Sequence, residues 1–401
     1  MTTKKSILTC ISTRLLILLG AVIAIGPLSI DMYLPGLPAI EKSLGARPGS
    51  AEFTLASFFI GLALGQLFYG PLSDRFGRKK PLLVGLAIYV VASLACALAG
   101  SVAELVAWRF VEALGGCAGM VVVRAVVRDR CAAREAARAF SMLMLVMGVA
   151  PILAPMMGGW IVAGLGWRAV FVSLAGFGIV LMIAFQRGMD DTRHVPSGPL
   201  KLGQVLRDYR QLLASRSFLG YTLIGGLAFA GMFAYIAGSP FVLMELYGIP
   251  PQHYGWVFGC NAIGLVAASQ LNAHRLKSTP LTLLLRRALW GPPLAGIVLA
   301  LAGLAGWLPL PLVLAGFFFY LVSLGSLGPN STAAAMATHG QQAGAASALM
   351  GALQFALATL AGALVGLFHD GTARPLMVVM ALCGIGAWLA HRWMVAPLER
   401  E

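Results

Sequence analysis

Apolar runs of about twenty residues recur along the whole chain, near 15–36, 52–71, 81–99, 103–126, 139–163, 167–186, 217–241, 254–273, 283–304, 308–328, 343–367 and 375–394. That length crosses a hydrocarbon core roughly 30 Å thick at about 1.5 Å per helical residue. In lipid each backbone N–H and C=O must find its partner inside the segment, so each run is predicted to be a helix. Twelve such runs specify an all-α membrane protein. Only 11% of the 401 residues are charged, against roughly 25% in soluble domains.

The one long polar interval, 188–216, divides the spans six and six. The predicted organisation is therefore a first six-helix bundle (1–187), a linker (188–216) and a second six-helix bundle (217–401). Within the linker, Leu202, Val205, Leu206, Tyr209, Leu212 and Leu213 share one helical face opposite Arg207, Asp208 and Arg210, the pattern of a helix lying on a membrane surface. The net charge of +14 is not a nucleic-acid patch. If the N-terminus is inside, inner segments hold 23 Lys and Arg and outer loops only 4, which places both termini in the cytoplasm. The first run is too long for a cleaved signal peptide and contains Asp31, so it is predicted to remain as a span. Two six-span halves around a shared site are what a transporter requires.

Against this apolar background, buried charge is informative. A carboxylate at mid-membrane costs on the order of 2.5–3.5 kcal/mol and persists only with a partner or a task. Asp31 sits in the first run, and Pro35 four residues later deprives the Asp31 carbonyl of its helical donor. In the fourth run Arg109 and Glu112 lie one helical turn apart and can pair at i,i+3. Counted from the ends of their helices at 1.5 Å per residue, Asp31 and Glu112 both lie about 13 Å deep and Arg109 about 9 Å. These three are the candidate proton-coupling residues, with Glu112 either a second proton site or the standing partner of Arg109.

Between the second and third runs stands Gly70-Pro71-Leu72-Ser73-Asp74-Arg75-Phe76-Gly77-Arg78-Lys79. It resembles the G-x-L-x-D-R-x-G-R-[RK] loop of the major facilitator superfamily at every position. The fifth run contains Pro151, Pro155, Gly158 and Gly159, which free helical carbonyls and permit close helix approach. Ala154-Pro155-Met156-Met157-Gly158-Gly159 is similar to the G-P-x-x-G-G motif of proton-coupled exporters, with alanine in place of the first glycine. Arg109 and Glu112 resemble the superfamily's fourth-span motif, with glutamate where glutamine is usual. With Asp31-Met32-Tyr33-Leu34-Pro35 and the seventh-span segments 229–233 and 238–242, the chain resembles the Bcr/CflA group of multidrug:proton antiporters.

That resemblance implies the major facilitator fold and efflux of bicyclomycin-, phenicol- or sulfonamide-like amphiphiles in exchange for protons, from a bacterial inner membrane. It implies that Gly70, Asp74, Arg75, Gly77 and Arg78 form a conformational latch; the matching segment of the second half, 272–278, lacks the acid and both glycines. A substrate cavity should be apolar with a few polar groups, and its candidate lining is Tyr33, Phe58, Met120, Met142, Met147, Phe229, Met232, Phe233, Tyr235, Asn261, Gln354 and Phe355. No G-x-x-x-x-G-K-[ST] phosphate loop occurs, so a proton gradient is the expected energy source and no cofactor is implied. The six cysteines show no C-x-x-C and the six histidines no ligand spacing, so neither a disulfide framework nor a metal site is expected. The expected partners are a small-molecule drug, protons and the lipid bilayer, with no nucleic acid and a monomeric chain. No protease or hydrolase motif points to an enzyme. A proton-coupled carrier of a small metabolite such as an amino acid or thiol, importer or exporter, would share the fold.

Overall fold

The computed structural model describes residues 11–131, 133–189, 202–337 and 343–397. Among them all regular secondary structure is helical, with no strand. The first span is built in pieces: α1 (Thr13–Ile23), α2 (Ile25–Asp31), a 3₁₀ turn at Leu34–Gly36 and α3 (Leu37–Ser43). Ser12 caps α1 by accepting from the Leu15 N–H at 3.2 Å, and the break after Asp31 coincides with Pro35 and Pro38, which donate no hydrogen bond. The remaining first-half helices are α4 (Glu52–Phe76), α5 (Lys79–Leu98), α6 (Val102–Arg130), α7 (Ala133–Leu165) and α8 (Trp167–Gly188). Gly77 and Gly166, both at φ +81°, allow the sharp reversals after α4 and α7, a conformation open to glycine at no steric cost. At the start of α6, Ser101 accepts from Glu104 N–H while Glu104 accepts from Gly100 N–H.

The surface helix α9 (Leu202–Ala214) leads into α10 (Arg216–Pro240), which runs on through a π-helical turn at Phe241–Leu246. Then follow α11 (Pro251–Arg275), α12 (Leu281–Ala288), α13 (Gly291–Leu304), α14 (Leu310–Ala337), α15 (Ala343–Leu367) and α16 (Arg374–Ala390). The linker stretch 190–201 lies outside the described residues. In the first half α6 packs on α4 and α5, and α5 on α8; in the second, α10 packs on α14, α15 and α16. The halves meet along two long seams, α4 against α15 and α7 against α11.

Among the described residues eleven segments are long and apolar enough to cross a membrane. The twelfth expected span, α11, is too polar for that measure although its 25 residues suffice in length. Two of its polar groups are directed inward, Asn261 and Asn272 being only 5% and 3% exposed. Two expected boundaries shift for a related reason. Helices α6 and α7 overrun the apolar runs toward the end rich in Lys and Arg, where helical residues project beyond lipid. That end is called the basic end below, and the end carrying 44–51 and 368–373 the opposite end. Among the cysteines, 96, 117, 260 and 383 are free thiols, whereas Cys131 is disulfide-bonded, contrary to the expectation from spacing.

Candidate functional site

Helix α6 carries Arg109 and Glu112 into the middle of the first bundle, both with 0% exposure. The guanidinium meets the carboxylate at 2.7 Å and donates to the Ser29 carbonyl of α2 at 2.9 Å. Its carbon lies 4.0 Å from the Phe58 ring centre, 4.6 Å from Tyr33 and 5.7 Å from Phe171. Rings from the break in the first span, from α4 and from α8 thus surround one cation, and aromatic faces attract it more strongly where water is excluded. Glu112 accepts further from Ser93 Oγ at 2.8 Å and Cys96 Sγ at 3.8 Å. A buried ion pair offsets its desolvation cost only when such additional donors satisfy it. Ser29 Oγ and the Tyr89 hydroxyl, 2.8 Å apart, close the cluster.

Asp31, the last residue of α2, is 4% exposed. It is not paired with Arg109, which is engaged by Glu112, and among the described residues it makes no hydrogen bond or ion pair. Its carboxyl lies within electrostatic range of the Tyr235 and Tyr254 hydroxyls, so it addresses the second bundle. There Asn261 donates to Tyr235 at 2.9 Å, Ser239 and Tyr254 share a bond of 2.9 Å, and the Tyr235 ring lies 5.6 Å from Phe258 and 4.9 Å from Phe317. An acid without a hydrogen-bond partner and a cluster of hydroxyl and amide groups therefore lie within electrostatic range of each other across the seam.

The fifth-span glycines hold this arrangement together. A Cβ on Gly158 would overlap the Met32 carbonyl, next in the chain to Asp31, and one on Gly159 the Pro251 carbonyl at the start of α11. Helix α7, with Pro151 and Pro155 inside it, is thus clamped between the broken first span and the second bundle. One helical turn on, a Cβ on Gly255 of α11 would lie 2.7 Å from the Met156 backbone.

The candidate lining residues separate into groups. Tyr33 and Phe58 are buried in the Arg109 cage, and the Tyr33 hydroxyl bonds Thr54. Phe233 and Phe355 join Phe59 in a three-ring cluster across the α4–α10–α15 junction, with centroids 4.6, 5.9 and 6.1 Å apart. Met120 packs beside Gly26, Phe229 beside Gly328, and Gln354 beside Gly225 and Gly226. Met142, Met147 and Met232 are half-buried, while Tyr235 and Asn261 belong to the cluster facing Asp31.

In the latch loop Arg78 is 2% exposed and bonds Asp129 at 2.7 Å and Ser73 at 2.8 Å, tying the start of α5 to the end of α6. Arg75 is exposed above the Phe76 ring, Gly77 makes the turn, and Gly70 has open space around it. The Asp74 side chain lies outside the described residues. The corresponding place in the second half holds Asn272 and Asn330, whose amides exchange bonds of 3.0 and 2.9 Å.

Sequence reasoning gave no role to Ser93, Phe171 and Tyr254, which carry no motif, to Ser29 and Ser239, which lie in stretches singled out for other reasons, or to Glu52. That acid opens α4, where an acid ordinarily reads as a favourable N-terminal charge, yet it is 4% exposed.

The chain matches the model of the Major Facilitator Superfamily over residues 19–366. It is 36% identical over 380 residues to the uncharacterized MFS-type transporter YdgK of Bacillus subtilis, covering 93% of each chain. It is 32% identical over 393 residues to the bicyclomycin resistance protein homolog of Haemophilus influenzae, covering 96% of this chain and 97% of that one. The crystal structure of a D-xylose-proton symporter superposes with a TM-score of 0.72 at 16% identity, over 96% of both chains, a likeness of fold alone.

Proposed function

Because the chain belongs to the major facilitator superfamily and is a membrane transporter rather than an enzyme, we propose that it exports small amphiphilic drugs of the bicyclomycin, phenicol or sulfonamide class in exchange for protons. The observation that carries this reading is Asp31: buried at the seam, without a counter-charge, and facing the hydroxyl cluster of the second bundle while Arg109 is held by Glu112. A lone buried acid of this kind is tolerated where it binds and releases a proton. The relation to a bicyclomycin resistance homologue supports the substrate class. The asymmetry of Lys and Arg supports a cytoplasmic location for the basic end and both termini, in a bacterial inner membrane.

In this reading Asp31 takes a proton from the periplasm and releases it inward as the bundles exchange access. Glu112 is the standing counter-ion of Arg109, held by Ser93 and Cys96 as well. Drug binding near Tyr235 and Asn261 then competes with the acid for the same space. No cofactor takes part. One proton entering down roughly 100 mV supplies about 2.3 kcal/mol, and each tenfold of concentration takes about 1.4 kcal/mol. One proton per drug thus sustains a gradient of roughly 50-fold.

Exchange in proteoliposomes with an imposed pH gradient tests this. Asp31→Asn should bind drug but neither release protons nor accumulate drug against its gradient, while Glu112→Gln should be impaired mainly in folding. Full drug–proton exchange by Asp31→Asn would end the assignment.

A further inference from the structure

At the end opposite the basic one, a second group of acids spans the two bundles. Glu41 on α3, Glu52 on α4 and Glu245 in the turn after α10 line one cavity of about 20 Å³, together with Phe241. That volume holds about one water molecule. The three acids are not equivalent. Glu41 accepts from the Ala51 N–H at 2.9 Å, with the N–H groups of Gly49 and Ser50 alongside. Glu245 is exposed. Glu52 is buried, and its Oε2 has no hydrogen-bond partner.

The other groups facing Glu52 do not supply the missing positive charge. Tyr33 is within its electrostatic range but neutral. His369 packs edge-on against Phe241 at 4.3 Å, and its burial holds it below the ordinary histidine value although Asp370 opposes this. It is therefore neutral at pH 7, and its Nε2 is also unpartnered. The helix N-terminus at Glu52 favours an anion by only about 0.3–1 kcal/mol, and the N–H groups of Gly49, Ser50 and Ala51 already serve Glu41, leaving Glu52 its own backbone N–H. Two carboxylates sharing one water-poor site cannot both ionise cheaply. The bundles also touch closely at the same spot: a Cβ on Gly366 would lie 2.7 Å from the Gly49 carbonyl and 3.3 Å from Glu52 Cβ.

We propose that Glu52, with Glu41 and Glu245, forms a second proton-binding site, distinct from Asp31, whose occupation by one proton is required for the two bundles to close at this end. The inference rests on the exporter reading only for its orientation, which makes this end periplasmic. Parting the bundles exposes Glu52 to water and frees its proton; a proton arriving from the periplasm permits the Gly49–Gly366 contact to re-form. The sign follows from linkage. The closed form holds one proton more than the open form, so closure is favoured as pH falls and lost as it rises, by up to about tenfold in the closed-to-open ratio per pH unit.

The test is the full-length protein in lipid nanodiscs, with spin labels attached through non-canonical residues replacing Arg47 and Phe368, and the distance distribution recorded from pH 5.5 to 8.5 without drug. The wild-type protein should pass from closed to open as pH rises, at close to tenfold per unit. Glu52→Gln should remain closed throughout, and Asp31→Asn should keep the wild-type slope. A Glu52→Gln protein that titrates as the wild type does overturns the proposal, as does a wild-type distribution that ignores pH, which needs no variant to fold. Loss of the slope in Asp31→Asn would overturn the separateness of the two sites. Absence of drug–proton exchange with the slope intact would instead remove the exporter reading and leave this site standing.

Discussion

The two bundles of this transporter hold their polar groups in opposite ways. Every buried Asp, Glu and Arg among the described residues, namely Asp31, Glu52, Arg78, Arg109 and Glu112, lies in the first bundle. The second bundle is joined inside by neutral bonds: Tyr235 with Asn261, Ser239 with Tyr254, Asn272 with Asn330, and the Tyr320 hydroxyl to the Ala228 carbonyl at 3.3 Å. Near the basic end the first half is tied by the Arg78–Asp129 ion pair and the second by the paired amides of Asn272 and Asn330. Charge titrates and amides do not. The first bundle thus carries most of the buried groups able to respond to protons, while the bonds that join the second inside are uncharged, its titratable Glu245 and His391 lying near its ends.

Three substitutions sharpen or break that contrast. The largest effect is expected from Arg109→Met, which leaves Glu112 buried without its counter-charge and should cost about 3–5 kcal/mol. Thermal unfolding in detergent should show little folded protein. The double variant Arg109→Met/Glu112→Met should recover most of the loss, and a double variant as unstable as the single one would refute the pairing as the cause.

Next comes the fifth-span glycine. Gly158→Ala drives a methyl group into the Met32 carbonyl and should cost about 3 kcal/mol, with exchange lost because the displaced segment carries Asp31. Its counterpart Gly231→Ala, inside the second bundle, meets the Tyr320 side chain instead. It should lower the unfolding midpoint while the exchange rate per folded molecule persists. Equal exchange in the two variants would argue that the α7 seam has no special role.

The smallest effect is expected from Asn272→Ala. It strands the Asn330 amide at a cost of about 1–2 kcal/mol, and the double variant Asn272→Ala/Asn330→Ala should cost less than the two singles summed. Exchange should keep the wild-type pH profile, because neither amide titrates.

Much of the fold was legible, because a span needs only length and low polarity to declare itself. Even α11, with its inward asparagines and terminal histidines, was read as the span 254–273, and the structure has it as a helix over Pro251–Arg275 packed along α7 and α14. The Arg109–Glu112 pair was legible because i,i+3 spacing is a local property. What Asp31 faces was not, since nothing within its own span says which residues of a helix two hundred positions later will stand opposite. Tyr33 and Phe58 show the same limit: their spacing fits a cavity wall as well as it fits a cage around arginine. Glu52 was obscured by its place at a helix start, where an acid is unremarkable until a second bundle covers it.

The cage has a mechanical consequence. A guanidinium gripped by a carboxylate, a backbone carbonyl and three rings is a fixed post, with no slack through which to follow a migrating acid. Any change in the spacing of Asp31 and Arg109 must then be made by the acid's own segment, and the interruption of the first span immediately after residue 31 supplies the pivot.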